Sequence, residues 1–208
     1  MPAIDLSSLA LILGAMARGP TRVTGADDPG LDGLAAALGA LGVHVTKAGA
    51  GGWAVHGTGV GGWREPDRVL DLTGRPGAVP LLAGALAAHP FTAVLVGDSD
   101  ATLATLRGPL ERLGAGFALR RLDRLPGSMT GAEWPLPALH RGMGPADGIA
   151  LLLAGLNSPG RTGVTDMREL APGLDLLRRF GATIDQIDGT AWVRGHPDLT
   201  GADIAVGP

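Results

Sequence analysis

The chain has no cysteine, and of its 17 basic residues a single one, Lys47, is lysine. The first absence excludes a disulfide framework, a thiolate metal site and a thiol nucleophile. Positive charge is also short: the formal net charge is −3, which leaves no electrostatic footprint for nucleic acid. Long hydrophobic runs are missing as well. Leu9 to Ala17 is too short to span a bilayer, and no basic segment precedes it. A soluble, cytoplasmic protein that binds neither nucleic acid nor membrane is therefore expected. The scarcity of lysine weighs against phosphorylated ligands, whose sites gather Lys and Arg beside glycine-rich turns, and the arginines here are scattered. The five histidines (44, 56, 89, 140 and 196) show no ligand spacing, so no metal is expected.

What the chain does have is apolar mass and repetition. Of its 208 residues 45% are hydrophobic, enough for a sizeable core. The 35 glycines and 16 prolines fall between apolar segments and not in one low-complexity tract, which argues against disorder. One stretch occurs three times: Ala10-Leu-Ile-Leu-Gly14, Leu81-Leu-Ala-Gly84 and Leu151-Leu-Leu-Ala-Gly155, the glycines 70 and 71 residues apart. A second marker follows each copy, at Leu41-Gly42-Val43, Leu113-Gly114-Ala115 and Phe180-Gly181-Ala182. Each copy reads as the end of an apolar helix, a Pro/Gly stop and a short β-branched strand.

Taken in order, residues 6–18 read as a helix capped by Ser7 or Ser8 and stopped by Gly19-Pro20, with a strand over 21–24. Asp27-Asp28-Pro29 opens a helix through Leu41, and 43–45 with 53–55 form a hairpin around residues 48–52. The second unit places helices at 78–88 and 101–113, strands at 91–96 and 116–120, and a Pro/Gly-rich return through 125–131. The third places helices at 146–156 and 170–180 and strands at 161–165, 182–184 and 191–193. Residues 200–206 begin one more strand. This pattern predicts an α/β fold: one lobe spanning 1–208, of three βαβαββ-type repeats (about 1–68, 69–141 and 142–208) around a pseudo-threefold axis.

Residues 10–15, 81–84, 91–98, 109–115 and 150–156 carry a resemblance to the EPSP synthase (3-phosphoshikimate 1-carboxyvinyltransferase) family of enolpyruvyl transferases. The resemblance covers nearly the whole chain, in order. It implies one of that family's two lobes, with chain limits near the points where the family chain crosses between lobes. It also implies the family activity, enolpyruvyl transfer from phosphoenolpyruvate to shikimate 3-phosphate in the aromatic amino-acid pathway, without metal or organic cofactor. The site would lie in a cleft open to a small-molecule ligand, on a face that a second copy or a second-lobe partner would cover.

The motifs that carry the family's chemistry are nearly blank. Where the family has Gly-Asp-Lys-Ser-x-Ser-x-Arg, the Lys falls on Ile4, the next Ser on Asp5 and the Arg on Leu9, while Ser7 keeps its type. The Gly-Asn-x-Gly-Thr-x-x-Arg turn falls on residues 73–80, with Gly74 for Asn and Pro80 for Arg. The Arg-rich segment after Gly97-Asp98 falls on residues 101–105, and Ser-x-Gln on Gly144-Pro145-Ala146. Cations and amides replaced by Ile, Leu, Pro and Gly predict that enolpyruvyl transfer is lost in this chain alone. The alternatives are a non-catalytic binding or scaffolding lobe, or a repurposed enzyme for a non-phosphorylated, more apolar substrate.

The remaining candidates each have a plain reading. Asp5 could ligate a cation or act as a base, but reads more simply as an exposed acid suited to a helix dipole. Arg75 could bind an anion, but reads as a solvated turn arginine. Asp98 and Asp100 could form a carboxylate pair, but Gly-Asp-Ser-Asp before a helix is first a cap. Arg168 and Glu169 fall near a substrate-touching family segment and read as a surface ion pair. The tryptophans at 53, 63, 134 and 192 read as strand-packing residues.

Overall fold

Three helices in this chain have no polar face, and a helix that is apolar all round must be buried all round. The computed structural model describes residues 3–26, 28–49, 51–165 and 167–207. Asp27 of the helix-opening signal, Ala50 of the hairpin loop and the final Pro208 lie outside the described residues. The helices are α1 (Leu6–Met16), α2 (Leu31–Ala40), α3 (Ala78–Leu86), α4 (Ala104–Leu113), α5 (Pro145–Leu156) and α6 (Ala171–Arg179). Of these α1, α3 and α5 form the centre. Their only residues that are not buried are Leu6 and Ser7, Pro80, and Asp147, all at the N-terminal ends. Each fully buried leucine along them is worth about 2 kcal/mol over an exposed one. The outer helices α4 and α6 are amphipathic, turning Leu106, Leu110 and Leu113, and Leu174 and Leu177, inward.

The strands are β1 (Arg18–Thr24), β2 (His44–Lys47), β3 (Gly52–Thr58), β4 (Leu70–Asp71), β5 (Thr92–Val96), β6 (Gly116–Arg120), β7 (Arg124–Thr130), β8 (Leu139–His140), β9 (Arg161–Thr165), β10 (Ile184–Ile187), β11 (Thr190–Arg194) and β12 (Asp203–Ala205). They make three four-stranded sheets, ordered β12-β1-β3-β2, β4-β5-β7-β6 and β8-β9-β11-β10. In each, a short strand pairs parallel with the next, and the other two pairings are antiparallel. The mixed α/β architecture of three small sheets is thus the expected one. The expected extra strand at the tail is β12, and it belongs to the first sheet: Arg22, Val23 and Thr24 register with Asp203, Ile204 and Ala205. The third sheet already begins at Leu139, ahead of the repeat boundary placed at 142.

Two punctuation readings need correction. Gly19-Pro20 does not stop α1; both residues lie inside β1, and the helix already ends at Met16. Strand alternation aims the N–H groups of residues 18, 20 and 22 at the β12 side. There Arg18 donates to the Leu199 carbonyl and Arg22 to that of Ala202, and the proline fills the gap between them. Likewise the Pro/Gly-rich return is mostly the seven-residue strand β7. Pro126 is tolerated because the β5 ladder ends at Gly127 and the β6 ladder shifts register between Ala118 and Arg120.

The C-terminal ends of α1, α3 and α5 share one device. A helix leaves its last carbonyls unsatisfied, and here a strand end comes in to serve them. Gly59 donates its N–H to Ala17, Ala132 to Ala87 and His196 to Leu156, at 3.0, 2.8 and 2.7 Å. Gly57, Gly131 and Gly195 allow the approach. A Cβ on them would lie 2.1 Å from the Gly14 oxygen, 2.0 Å from that of His89 and 1.6 Å from that of Ser158. The repeated glycines of the sequence are used less uniformly. Gly84 sits against the Ala150 carbonyl, where α3 meets α5, while Gly14 and Gly155 face Thr21 and Thr162 of their own units.

Candidate functional site

At the opposite ends of the same helices the packing opens. The N-cap of α1 is Asp5, neither Ser7 nor Ser8: its carboxylate accepts the Ser8 N–H at 3.1 Å and the Ser8 hydroxyl at 2.7 Å. Across from it stands Arg75, in the loop before α3. Arg75 donates from Nη2 to Asp5 at 2.7 Å, from Nε to the Ser8 hydroxyl at 3.1 Å, and from Nη1 to Asp28. The Gly30 N–H, and then Arg75, hold the Asp28 carboxyl below its ordinary value.

These contacts overturn two expectations. The Arg75 side chain is only 12% exposed and that of Asp5 16%, so neither is a solvated surface group. Each is the other's partner, and the guanidinium fork of Arg75 is already engaged on protein oxygens. Ser8 and Asp28 complete the network; the sequence marked them only as helix-start residues, and not as partners of Arg75. Asp28 is 47 residues from Arg75 and Ser8 is 67, and no local pattern signals such pairings.

Asp98 and Asp100 form neither a pair nor a cap. Helix α4 starts at Ala104 without a side-chain cap on its N-cap residue, and the Thr102 hydroxyl accepts the Ala104 N–H. Asp98 instead accepts the N–H of Gly74 on both oxygens, each at 3.1 Å, bracing the loop before α3. Asp100 is exposed and lines a cleft of about 700 Å³ between the N-terminal ends of α3 and α5. Pro76, Pro80, Ala101, Met143 and Ala146 form its apolar walls, and Asp147 is its second carboxylate. Thr105 donates its hydroxyl to Asp147 at 2.5 Å. Desolvation outweighs that bond and pushes the Asp147 carboxyl above its ordinary value.

A second hollow, about 510 Å³, lies between the N-terminal ends of α1 and α5, against Ile4, Leu6, Pro145, Glu169 and Pro172. Arg168 and Glu169 lie exposed on a 3₁₀ turn over 167–170, and among the described residues no ion pair joins them. Ser7 lies half-buried in the first turn of α1, outside the lining of either hollow. The structure therefore gathers Asp5 with Arg75, and Gly74 with Asp98, while Asp100 and Glu169 face separate hollows. Among the described residues no Lys or Arg lines either one. Trp134 is 80% exposed in the segment before β8, so it is not a strand-packing residue. Among the described residues no helix is long and apolar enough to cross a membrane.

No protein-family model matches the sequence. The chain is 39% identical over 217 residues to the 3-phosphoshikimate 1-carboxyvinyltransferase of Acidiphilium cryptum, covering 97% of this chain and 48% of that protein. It is equally similar, over the same shares, to the enzyme of that name from Afipia carboxidovorans. Among solved structures, EPSP synthase from Acinetobacter baumannii superposes with a TM-score of 0.87 at 26% identity, over 98% of this chain and 48% of that one. The enolpyruvyl transferase NikO from Streptomyces tendae, at 20% identity and a TM-score of 0.65, shares the fold over 98% of this chain and 50% of that one. The chain spans about half the length of the curated relatives it matches, and it is a member of the EPSP synthase family by descent and fold.

Proposed function

We propose that this chain alone does not perform enolpyruvyl transfer and that its open face serves as a small-molecule binding surface. One observation carries this reading: among the described residues, the hollows at the N-terminal ends of α1, α3 and α5 are lined by Asp100, Asp147 and Glu169 and by no cation. The nearby guanidinium, Arg75, is engaged with Asp5, Ser8 and Asp28. Holding a phosphate dianion takes charge-assisted donors, and each such donor at a developing oxyanion is worth about 3 kcal/mol. Two phosphorylated substrates brought to carboxylate-lined hollows would be repelled.

The test is phosphate release from phosphoenolpyruvate and shikimate 3-phosphate, with calorimetry of shikimate 3-phosphate alone. The expected result is a rate at background and no heat of binding. Release above background that disappears in Arg75→Met would overturn the proposal.

A further inference from the structure

We propose that the cleft between the N-terminal ends of α3 and α5 is a binding site for a small organic ammonium ion, an amine carrying an apolar body, held by Asp100 and Asp147. The proposal rests on the reading that this face does not take phosphate. Its volume of about 700 Å³ is that of a small-molecule site, and its walls are mainly apolar, with few polar groups. Pro76, Pro80, Ala101 and Met143 would enclose a hydrocarbon body, and the two carboxylates would meet the charge.

The charge balance decides the sign of the ligand. A helix N-terminus carries roughly half a positive charge, which taken alone favours an anion. At α3 the first N–H groups are turned back onto the Arg75 and Pro76 carbonyls, and Pro80 has none. At α5 Pro145 removes one N–H, and Asp147, in the first turn, offsets the dipole with a full charge. Two carboxylates against what remains leave the cleft negative.

Asp147 is also under-served. Its Oδ2 accepts from Thr105, but among the described residues its other oxygen has no donor and no cation pairs with it. It is half-buried, so the desolvation of its charge is already incurred and a cation arriving in the cleft would relieve it. Among the described residues no third carboxylate or imidazole joins the two into a metal-sized cluster. Apolar walls suit an organic cation better than a hydrated metal ion.

Three probes with one body and different charge test this: benzylammonium, benzyl alcohol and benzoate, each titrated into the whole chain by calorimetry and by amide chemical-shift mapping. The expected result is saturable binding of benzylammonium at least about tenfold tighter than either other probe, with shifts centred on residues 76–80, 100–105 and 142–147. Asp147→Asn, which keeps an acceptor for Thr105, is expected to erase the preference while leaving thermal stability unchanged or higher. Asp100→Asn is expected to weaken it in part. Equal binding of the three probes, a preference for benzoate, or no saturable binding below about 10 mM would overturn the proposal. Inorganic phosphate is the separating control. If it binds at these residues, the reading under the proposal falls too; if neither phosphate nor ammonium binds, only the ammonium site is lost.

Discussion

The two ends of the three central helices are built in opposite ways. At the C-terminal ends, Gly57, Gly131 and Gly195 do one job in triplicate, letting a strand end serve helix carbonyls. At the N-terminal ends no two helices are alike. Helix α1 has a carboxylate cap tied to an arginine, α3 follows Gly77 with no side-chain cap, and α5 begins with proline and an under-served aspartate. Close packing of backbone on backbone admits few solutions, and the same one occurs at all three ends. An open end is settled by charge, side chain by side chain, and there the three helices differ.

The comparison breaks most readily at the packed end. Gly195→Ala places a Cβ on the Ser158 carbonyl and is expected to cost about 4 kcal/mol or more, a fall in melting temperature of about 10 °C or more, seen by calorimetry. Gly39→Ala in α2, with nothing within 4 Å, is the matched control and should stabilise by about 0.5–1 kcal/mol. Similar behaviour of the two variants would show that the close approach is not what matters.

The next effect belongs to His89, just beyond the C-terminal end of α3. It is buried, stacks on Trp63 with centroids 5.0 Å apart, and meets the Ala85 carbonyl through Nδ1. Desolvation pushes its pKa down to about 4. The unfolded chain takes up this proton near pH 6.5, while the folded chain resists until about 4. Stability is therefore full above pH 6.5 and falls by about 3 kcal/mol as the pH drops toward 4. Buried His140, shifted in the same direction, adds to the fall. Urea unfolding across this range measures it, and His89→Phe should flatten the profile; a flat wild-type profile would refute the assignment.

The open end is expected to yield least. Asp5→Ala removes a cap and the largely enclosed partner of Arg75, costing about 2 kcal/mol. Asp28→Ala, at a carboxylate half exposed, should cost no more than about 1 kcal/mol. Equal losses in chemical denaturation would mean that Asp28 anchors the arginine as firmly as Asp5.

Much of the fold could be read from residue patterns because its signals are local. The three apolar helices and the strands at 116–120 and 161–165 follow from periodicity and composition. Proline and glycine misled wherever their partners were remote. Pro20 and Pro126 look like breakers until the missing ladder bonds beside them are seen. The resemblance pointed to residues 4–9, 74–80 and 144–146, and Asp5, Arg75 and most walls of the cleft before α5 fall in or beside these stretches. Arg75, Asp5 and Asp28 could not be joined from spacing, since ion pairs across tens of residues leave no period. Asp147 carries no sequence signal: an acid in a first helical turn is ordinary until burial makes it costly.

The pairing of β1 with β12 gives the molecule a clock. β1 meets β3 within 40 residues of chain, across α2 and β2, but its other neighbour arrives some 180 residues later, at Ile204. At ribosomal rates of about 5–20 residues per second, that is a wait of roughly 10–40 s. Through that interval β1 has an unpaired edge, and the first sheet is finished by a strand made long after its other three.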